Sequence, residues 1–338
     1  MNIIVTGGAG FIGSAFIRHL IKHTTHQILN IDKLTYAADL ASLDSIKNHQ
    51  QYLFSQTDIT DSKKLTEIFR QFKPDLVIHF AAETHVDRSI SAPEIFIQTN
   101  IIGTFQLLQV SLDYWKKLNH SAQQTFRFVS ISTDEVYGEL TNKDSFFHEN
   151  SIYAPNSPYS ASKASADHLV RAWHKTYGLP TLITHSSNNY GPYQYPEKLI
   201  PYTILNALSG KPINVYGNGE QIRDWLFIQD HIDALMLIIT KGKIGEIYNI
   251  GGDNELKNIF VVRKICDILD TLKPEKPNGI NHYSELITFV QDRLGHDFRY
   301  AIDNSKIKKE LGWFPKQNFE VGLQKTIHWY LQQPYRSD

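Results

Sequence analysis

An apolar strand that runs straight into three glycines limits what this chain can fold into. Ile3, Ile4 and Val5 lead through Thr6 into Gly7-Gly8-Ala9-Gly10-Phe11-Ile12-Gly13. Glycines at 7, 10 and 13 have the G-x-x-G-x-x-G spacing, in which missing side chains let backbone N–H groups approach a pyrophosphate at a helix N-terminus. A turn against a tightly packed helix would also produce a lone glycine triplet, so the flanking elements carry the reading. A helix is expected next, with Phe16, Ile17, Leu20 and Ile21 on one face, then a strand from Gln27 to Ile31 ending at Asp32. A carboxylate about 20 residues beyond the glycines suits a ribose 2′-hydroxyl and repels a 2′-phosphate. NAD is therefore expected rather than NADP. Lys33 beside it weakens that preference slightly, although a solvated loop cation is the alternative reading of that residue.

The alternation continues. Tyr52-Leu53-Phe54, Leu76-Val77-Ile78 and Phe128-Val129-Ser130-Ile131 read as strands between helical stretches. Linked β-α-β units predict an α/β fold, a Rossmann-type doubly wound parallel sheet with ligands at the carboxyl ends of its strands. Asp58-Ile59 and Ala81-Ala82 follow the third and fourth strands, where adenine and a nicotinamide ribose would lie, although a turn residue and packing alanines explain them almost as well. A chain of 338 residues exceeds what one core usually fills. The expected organisation is a dinucleotide domain over 1–185, joined by a returning segment at about 222–252, and a smaller C-terminal α/β substrate domain over 186–338. Trp225-Leu226-Phe227-Ile228 is expected to rejoin the main sheet. Leu199 to Leu208 reads as a helix, and Lys211 to Gly219 as turns.

Charge is balanced, 34 basic against 35 acidic side chains, with 41% hydrophobic residues. That excludes a disordered chain or a polyanion-binding surface, so no nucleic-acid partner is expected. The lone Cys266 rules out an intramolecular disulfide and a cysteine metal cluster; Ile265, Ile268 and Leu269 place it inside a helix. No metal is expected. There is no run of about 18 apolar residues, and Met1 leads directly into a strand, which predicts a soluble cytoplasmic protein without a membrane partner. Gly138 to Ser157 reads as the least ordered stretch, placed to cover the active site.

Asp134 and Glu135 stand side by side after a strand, and Tyr159 and Lys163 follow four residues apart on an expected helix. At that spacing an ammonium shares a helix face with the phenol and lowers its pKa from about 10. Alcohol oxidation needs no more; two further carboxyl groups supply the acid and base of an elimination. Either pair alone is commonly structural, but together beside a dinucleotide motif they read as catalytic. Neighbouring carboxyls titrate as a coupled pair with one pKa raised, and sequence leaves open which. Arg223, Arg293 and His296 are cationic candidates for a diphosphate. A salt bridge from Arg223 to Asp224 and a satisfied loop histidine at 296 are the structural alternatives.

Longer stretches carry a family resemblance: Thr6–Gly13, Asp32–Tyr36, Ala81–Ser89, Ser132–Gly138, Ser157–Lys163, Ser187–Pro192, Pro196–Pro201, Arg223–Trp225 and Asp292–Asp297. Over nearly its whole length the chain resembles the extended short-chain dehydrogenase/reductases, and within them the dTDP-glucose 4,6-dehydratases. The Thr133-Asp134-Glu135 triplet marks dehydratases; related epimerases usually lack the acidic pair. Two departures, Thr84 where serine is common and Leu294 where proline is common, leave fine substrate preference open.

The resemblance implies NAD-dependent dehydration of a nucleoside-diphosphate glucose to its 4-keto-6-deoxy product, by C4 oxidation, loss of water across C5 and C6, and hydride return to C6. It implies Tyr159, Lys163 and Thr133 for oxidation, Glu135 as base and Asp134 as acid. The cofactor would meet Gly7, Gly10, Phe11, Ile12, Gly13, Asp32, Lys33, Leu34, Thr35, Asp58, Ile59, Ala81, Ala82, Thr99, Tyr159, Lys163 and Asn189. The sugar nucleotide would meet Thr84, His85, Thr133, Asn188, Glu197, Lys198, Leu199, Pro212, Tyr216, Arg223, Asn258, Arg293 and His296. A homodimer through a four-helix bundle is implied, built from helices near Glu94–Leu118 and Pro158–Tyr177, with Ile97, Ile101, Phe105, Leu108 and Leu112 on apolar faces. The competing readings are a UDP-glucose 4,6-dehydratase, a sugar-nucleotide 4-epimerase using Tyr159 without the acid pair, and a non-catalytic NAD(H)-binding sensor.

Overall fold

The structure is a computed structural model and describes residues 1–142 and 145–333. Ile3, Ile4 and Val5 form β1 (Asn2–Thr6) and are buried on both faces, as a strand inside a parallel sheet must be. It pairs with β2 (Gln27–Asp32) and β4 (Leu76–His79). Beyond these lie β3 (Tyr52–Gln56), β5 (Arg127–Thr133), β6 (Thr181–Ser186) and a late strand at Ile247–Ile250. The seven strands run β3-β2-β1-β4-β5-β6 and then Ile247–Ile250, all parallel. Strand order reverses between β1 and β4, so the crevice that receives a ligand opens at their carboxyl ends.

Helices cover both faces. Phe16, Ile17 and Leu20 of helix Phe11–His23 pack with Ile232, Leu235 and Ile238 of helix Ile228–Lys241; Leu65, Phe69, Leu107, Leu108 and Val170 cover the other side. Helix Pro158–Tyr177 is well specified locally. Ser157 caps it reciprocally with Ser160, Pro158 occupies its first turn, and Gly178 ends it at φ +77°. The helical run from Pro93 to Trp115 holds a π-helical stretch, Ile97–Gly103, that turns Thr99 and Asn100 inward. Its length and apolarity would suit a membrane span, yet 56% of its apolar window is buried inside the protein.

The rest of the chain builds a second core. Helices Leu199–Leu208, Asn258–Leu272 and Phe319–Gln332 enclose Ile204, Val262, Cys266 and Leu323. Short strands line it: β7 (Asn188–Tyr190), β8 (Ile213–Tyr216), β9 (Ile222–Phe227), then the sheet strand Ile247–Ile250 as β10, β11 (Glu255–Lys257) and β12 (Ile287–Val290).

Three expectations are corrected. Trp225-Leu226-Phe227 does not rejoin the main sheet; it lies in β9, between β7 and β11, and β10 is what returns. Residues 211–219 are not all turns, because Ile213 and Val215 alternate into the second core and β8 finds a parallel partner in β12. The stretch from Gly138 to Ser157 is anchored where described: Phe147 N–H donates to Ala301 O, Leu140 N–H to Arg299 O, and Phe147 is buried. Lys143 and Asp144 of that stretch lie outside the described residues.

Candidate active site

The cleft at the β1/β4 switch is walled largely by backbone. At Gly7 (φ +72°) a Cβ would stand 2.6 Å from Ala81 N, and at Gly13 2.4 Å from Gly7 O, so neither position takes a side chain. Gly10 caps helix Phe11–His23 with no side-chain hydrogen bond, leaving first-turn N–H groups directed at the cleft. Phe11, Ile12, Thr35, Ile59, Ala81, Ala82, Thr99 and Asn189 line the same space. Asp32 is fixed at its edge, Oδ2 accepting from Ala9 N–H (3.0 Å) and Oδ1 from Leu34 N–H (2.8 Å). These residues fit a dinucleotide: a glycine cradle for a pyrophosphate and a carboxylate for a ribose.

Leu34 (φ +61°) and Asp58 are not among the residues lining this cavity. Lys33 is not a solvated loop cation. Its ammonium donates to Thr99 Oγ1 (3.0 Å) and lies 3.8 Å from Asp58 and 4.0 Å from Glu83.

The reacting groups converge beside this cleft. Thr133 ends β5 and caps the short helical turn Asp134–Tyr137, its Oγ1 accepting from Glu135 N–H (3.3 Å). Thr133, Glu135, Tyr159 and Lys163 line the cavity, and Asp134, 1% exposed, sits directly behind with an unpaired Oδ2. Burial, then the neighbouring Glu135 charge, holds the Asp134 carboxyl well above the carboxylate range. Burial also raises Glu135, but Arg293, Arg223 and Lys198 oppose it. The pair is thus divided: Asp134 keeps a proton to give, while three cations favour an ionised Glu135.

The expected lowering of the Tyr159 phenol is not what the protein alone produces. Burial, and next the charge of Glu135, push it well above its ordinary value, with the Thr133 hydroxyl opposing. Lys163 does not offset this, because its ammonium donates to Ile131 O (2.8 Å), and burial lowers its own pKa while Asp167 raises it.

Of the residues expected at the sugar nucleotide, Thr84, Thr133, Asn188, Glu197 and Lys198 line the cavity. Lys198 Nζ donates to Thr84 O (3.0 Å), and His85 Nε2 is 3.6 Å from Glu197. A neighbouring cluster holds Tyr216, Arg293 and His296. Tyr216 O–H donates to Asp87 (3.0 Å), Arg293 lies 3.7 Å from the same carboxylate, and His296 Nδ1 is 2.6 Å from Asp292. Asn188 Oδ1, Asn258 Oδ1 and Arg293 Nε are buried without partners, which suits groups awaiting a polar ligand. Leu199 begins its helix and packs on the second core.

One structural alternative and one expected contact are not found here. Arg223 makes no ion pair with Asp224; its guanidinium is buried, donates to the carbonyls of Ile222, Phe298 and Asp297, and lies 4.4 Å above the Tyr300 ring. Asp224 instead accepts from Gly252 and Asn254 N–H. Pro212 is exposed, preceding β8 at the end opposite Tyr216, and is not brought to the site. Sequence reading also missed Tyr36, on which Arg88 stacks at 3.7 Å, together with Tyr195 and Gln194 at the cleft. No local pattern marks them.

A glycine-cradled parallel sheet with Tyr159, Lys163 and an acid pair at its switch point defines a short-chain dehydrogenase/reductase equipped for elimination. The chain belongs to the GDP-mannose 4,6 dehydratase family, whose model matches residues 4–326. A dTDP-glucose 4,6-dehydratase of Neisseria meningitidis is 59% identical over 98% of this chain and 93% of its own. One from Escherichia coli is 58% identical over 98% and 94%. Among solved structures, the Bacillus anthracis dTDP-glucose 4,6-dehydratase in complex with NAD superposes with a TM-score of 0.85 at 44% identity, covering 98% of this chain and 97% of that one. DesIV, the Streptomyces venezuelae enzyme solved with NAD bound, gives 0.88 at 41%, with the same coverage.

Proposed function

We propose that this chain is a dTDP-glucose 4,6-dehydratase, an NAD-dependent hydro-lyase that converts dTDP-glucose to its 4-keto-6-deoxy derivative. One observation carries the reading: Thr133, Glu135, Tyr159 and Lys163 line one cavity with the buried carboxyl of Asp134 directly behind it, and the charges of Arg293, Arg223 and Lys198 act on Glu135, the member of the acid pair that lines the cavity. A 4-epimerase has no use for the acid pair.

NAD, when bound, would supply reversible hydride acceptance between C4 and C6, and the positive charge of its oxidised ring would oppose the cost of burying a Tyr159 phenolate. Tyr159 takes the 4-hydroxyl proton while Thr133 aligns that oxygen. The ketone acidifies C5, Glu135 removes the C5 proton, and Asp134 protonates the departing 6-hydroxyl. Glu135 then returns its proton to C5. Gly7, Gly10, Gly13 and Asp32 hold the dinucleotide; Asn188, Lys198, Asn258, Arg293 and His296 hold the sugar nucleotide. Arg223 acts from behind, its charge favouring ionised Glu135.

Exposed Ile95, Ile97 and Ile102 on the Pro93–Trp115 run support assembly as a homodimer through that helix and Pro158–Tyr177. Light scattering at twice the chain mass is expected.

The test of function is turnover in deuterated water. The product from dTDP-glucose should lose its 6-hydroxyl, gain deuterium at C5 and carry the original C4 hydrogen at C6. A product that keeps its 6-hydroxyl would establish epimerase chemistry instead, and faster turnover of UDP-glucose would reassign the base.

A further inference from the structure

The dehydration described above conserves protons in solution but not on the side chains. Tyr159 ends each cycle holding the 4-hydroxyl proton, and Asp134 ends it ionised. Asp134, directly behind the cleft wall, can be reprotonated through it once product leaves. Tyr159 lines the cleft at only 7% exposure, and its proton needs a way out that does not wait on the ligands.

Behind Tyr159 lies a polar network that the mechanism so far leaves unused. Tyr159, Lys163 and Asp167 succeed one another at i, i+4 and i+8 on one helix face. Asp167 is 1% exposed; its Oδ2 accepts from Ser132 O–H (2.7 Å) and lies 3.0 Å from His185 Nε2, while its Oδ1 is buried and unpaired. His185 is fully buried, with Nδ1 2.7 Å from the Tyr137 oxygen.

Hydrogen-bond bookkeeping fixes the proton in this network. Asn249 donates through Nδ2 to Phe147 O (3.0 Å), so its Oδ1 faces Tyr137 and accepts that hydroxyl's only proton (2.9 Å). His185 Nδ1 must therefore be the donor to the Tyr137 oxygen. A neutral ring would then aim the Nε2 lone pair at a carboxylate oxygen 3.0 Å away, two acceptors in contact. An extra proton shared between Asp167 and His185 resolves that contact and leaves the Tyr153 oxygen, also beside Nε2, free to accept. Tyr153 O–H, also 3.0 Å from Nε2, connects this pair to a second cavity lined by Glu149, Tyr153, Asp167, His168 and Arg171. No residue of that cavity lines the first.

We propose that Asp167, His185 and Tyr153 form the route by which the Tyr159 proton, received through Lys163, leaves for the second cavity. This rests on the dehydratase reading. Lys163, swinging off the Ile131 carbonyl, breaks one N–H bond and protonates Asp167 Oδ1. Its neutral amine then takes the phenol proton, regenerating phenolate and ammonium. The proton shared at Nε2 passes to the Tyr153 oxygen as the Tyr153 hydroxyl gives its own to water, and the proton on Asp167 restores the shared one. One proton enters, one leaves, and no electrons move. None of the three residues touches the substrate, so they act through Lys163.

The NAD-loaded Asp167→Asn protein tests this. Single-turnover NADH absorbance on mixing with dTDP-glucose should form at a rate within about twofold of wild type, while kcat falls on the order of 10²-fold with KM nearly unchanged. Added imidazole, small enough for the second cavity, should restore part of kcat in the variant and none in wild type. Tyr153→Phe keeps the ring packing and should reproduce the pattern more weakly, which preserves the test if Asp167→Asn folds poorly. Independently of activity, ¹⁵N spectra of histidine-labelled protein, assigned by difference with His185→Gln, should show Nδ1 protonated and Nε2 shifted by a proton shared with Asp167, a shift lost in Asp167→Asn. An unchanged kcat, equal losses in single-turnover and steady-state rates without imidazole rescue, or an Nε2 signal that Asp167→Asn leaves unmoved would each overturn the route. Wild type inert toward dTDP-glucose would instead sink the functional reading.

Discussion

The two walls of the cleft are built from different materials. On the dinucleotide side, glycines, alanines and uncapped helix N–H groups present backbone, and the shape is complete before any ligand arrives. On the sugar-nucleotide side, cations are already engaged by the protein's own carboxylates: Arg293 near Asp87, His296 on Asp292, Lys198 near Glu197. The first wall selects by steric fit at Gly7 and Gly13, where no Cβ is accommodated, and by charge at Asp32. The second must trade internal carboxylates for phosphates, so its selectivity is a difference between two sets of charge contacts.

That contrast breaks most sharply at Glu135, where both walls meet. Glu135→Gln keeps size and hydrogen-bonding reach but removes the base, so turnover should fall about 10²- to 10⁴-fold. Both ligands should still bind, and NADH absorbance with a 4-keto hexose should accumulate; normal turnover would remove Glu135 from the reaction.

Behind the side-chain wall, buried Asp224 in β9 makes a pH-dependent contribution to stability. Burial pushes the Asp224 carboxyl up to about 6 despite two backbone N–H donors. A carboxyl raised on folding binds its proton more tightly in the native state, so its contribution is fully present below the unfolded value near 4 and is lost as pH rises through about 6. Asp224→Asn should flatten the fall in stability by on the order of 2 kcal/mol between pH 4.5 and 7, read from urea denaturation at those two values. Parallel pH dependence in both proteins would contradict the assignment.

Arg293→Gln should weaken dTDP binding by about 10- to 100-fold, the range for a hydrogen bond to a charged group, and leave NAD affinity intact. Calorimetry with each ligand separates the two, and equal losses would show the walls to be coupled. The mildest expected change is at Asp32: Asp32→Asn should narrow the preference for NAD over NADP by roughly tenfold. A wild type that binds both equally would refute the role of that carboxylate.

What sequence could reveal follows the same division. The backbone wall was legible because its elements are contiguous: a strand, glycines at fixed spacing and an amphipathic helix occupy residues 2–23. Asp134-Glu135 and Tyr159-x-x-x-Lys163 were legible for the same reason. The placement of β9 was not, because Trp225 and Leu226 are apolar enough for either sheet and only tertiary pairing with β7 and β11 decides. β8 was masked by Pro212, Gly217 and Gly219 at its ends. The direction of the Tyr159 shift depends on a glutamate 24 positions earlier and on depth of burial, neither encoded in the spacing to Lys163. The Asp167–His185 contact joins a helix to a strand across 18 residues and leaves no periodic trace.

The late return of β10 to the sheet has a consequence for synthesis. The strand at the sheet's β6 edge is made 61 residues after β6 ends, and helix Ile228–Lys241, which covers Phe16 and Ile17, is made with it. A chain emerging from the ribosome can pair β1 to β6 early, but β6 keeps an open edge, and part of the first helix an uncovered face, until residue 250 has left the exit tunnel. Vectorial folding of the dinucleotide half therefore waits on translation through β7, β8 and β9, and a pause in that interval would expose the nascent sheet edge to pairing with a neighbouring chain.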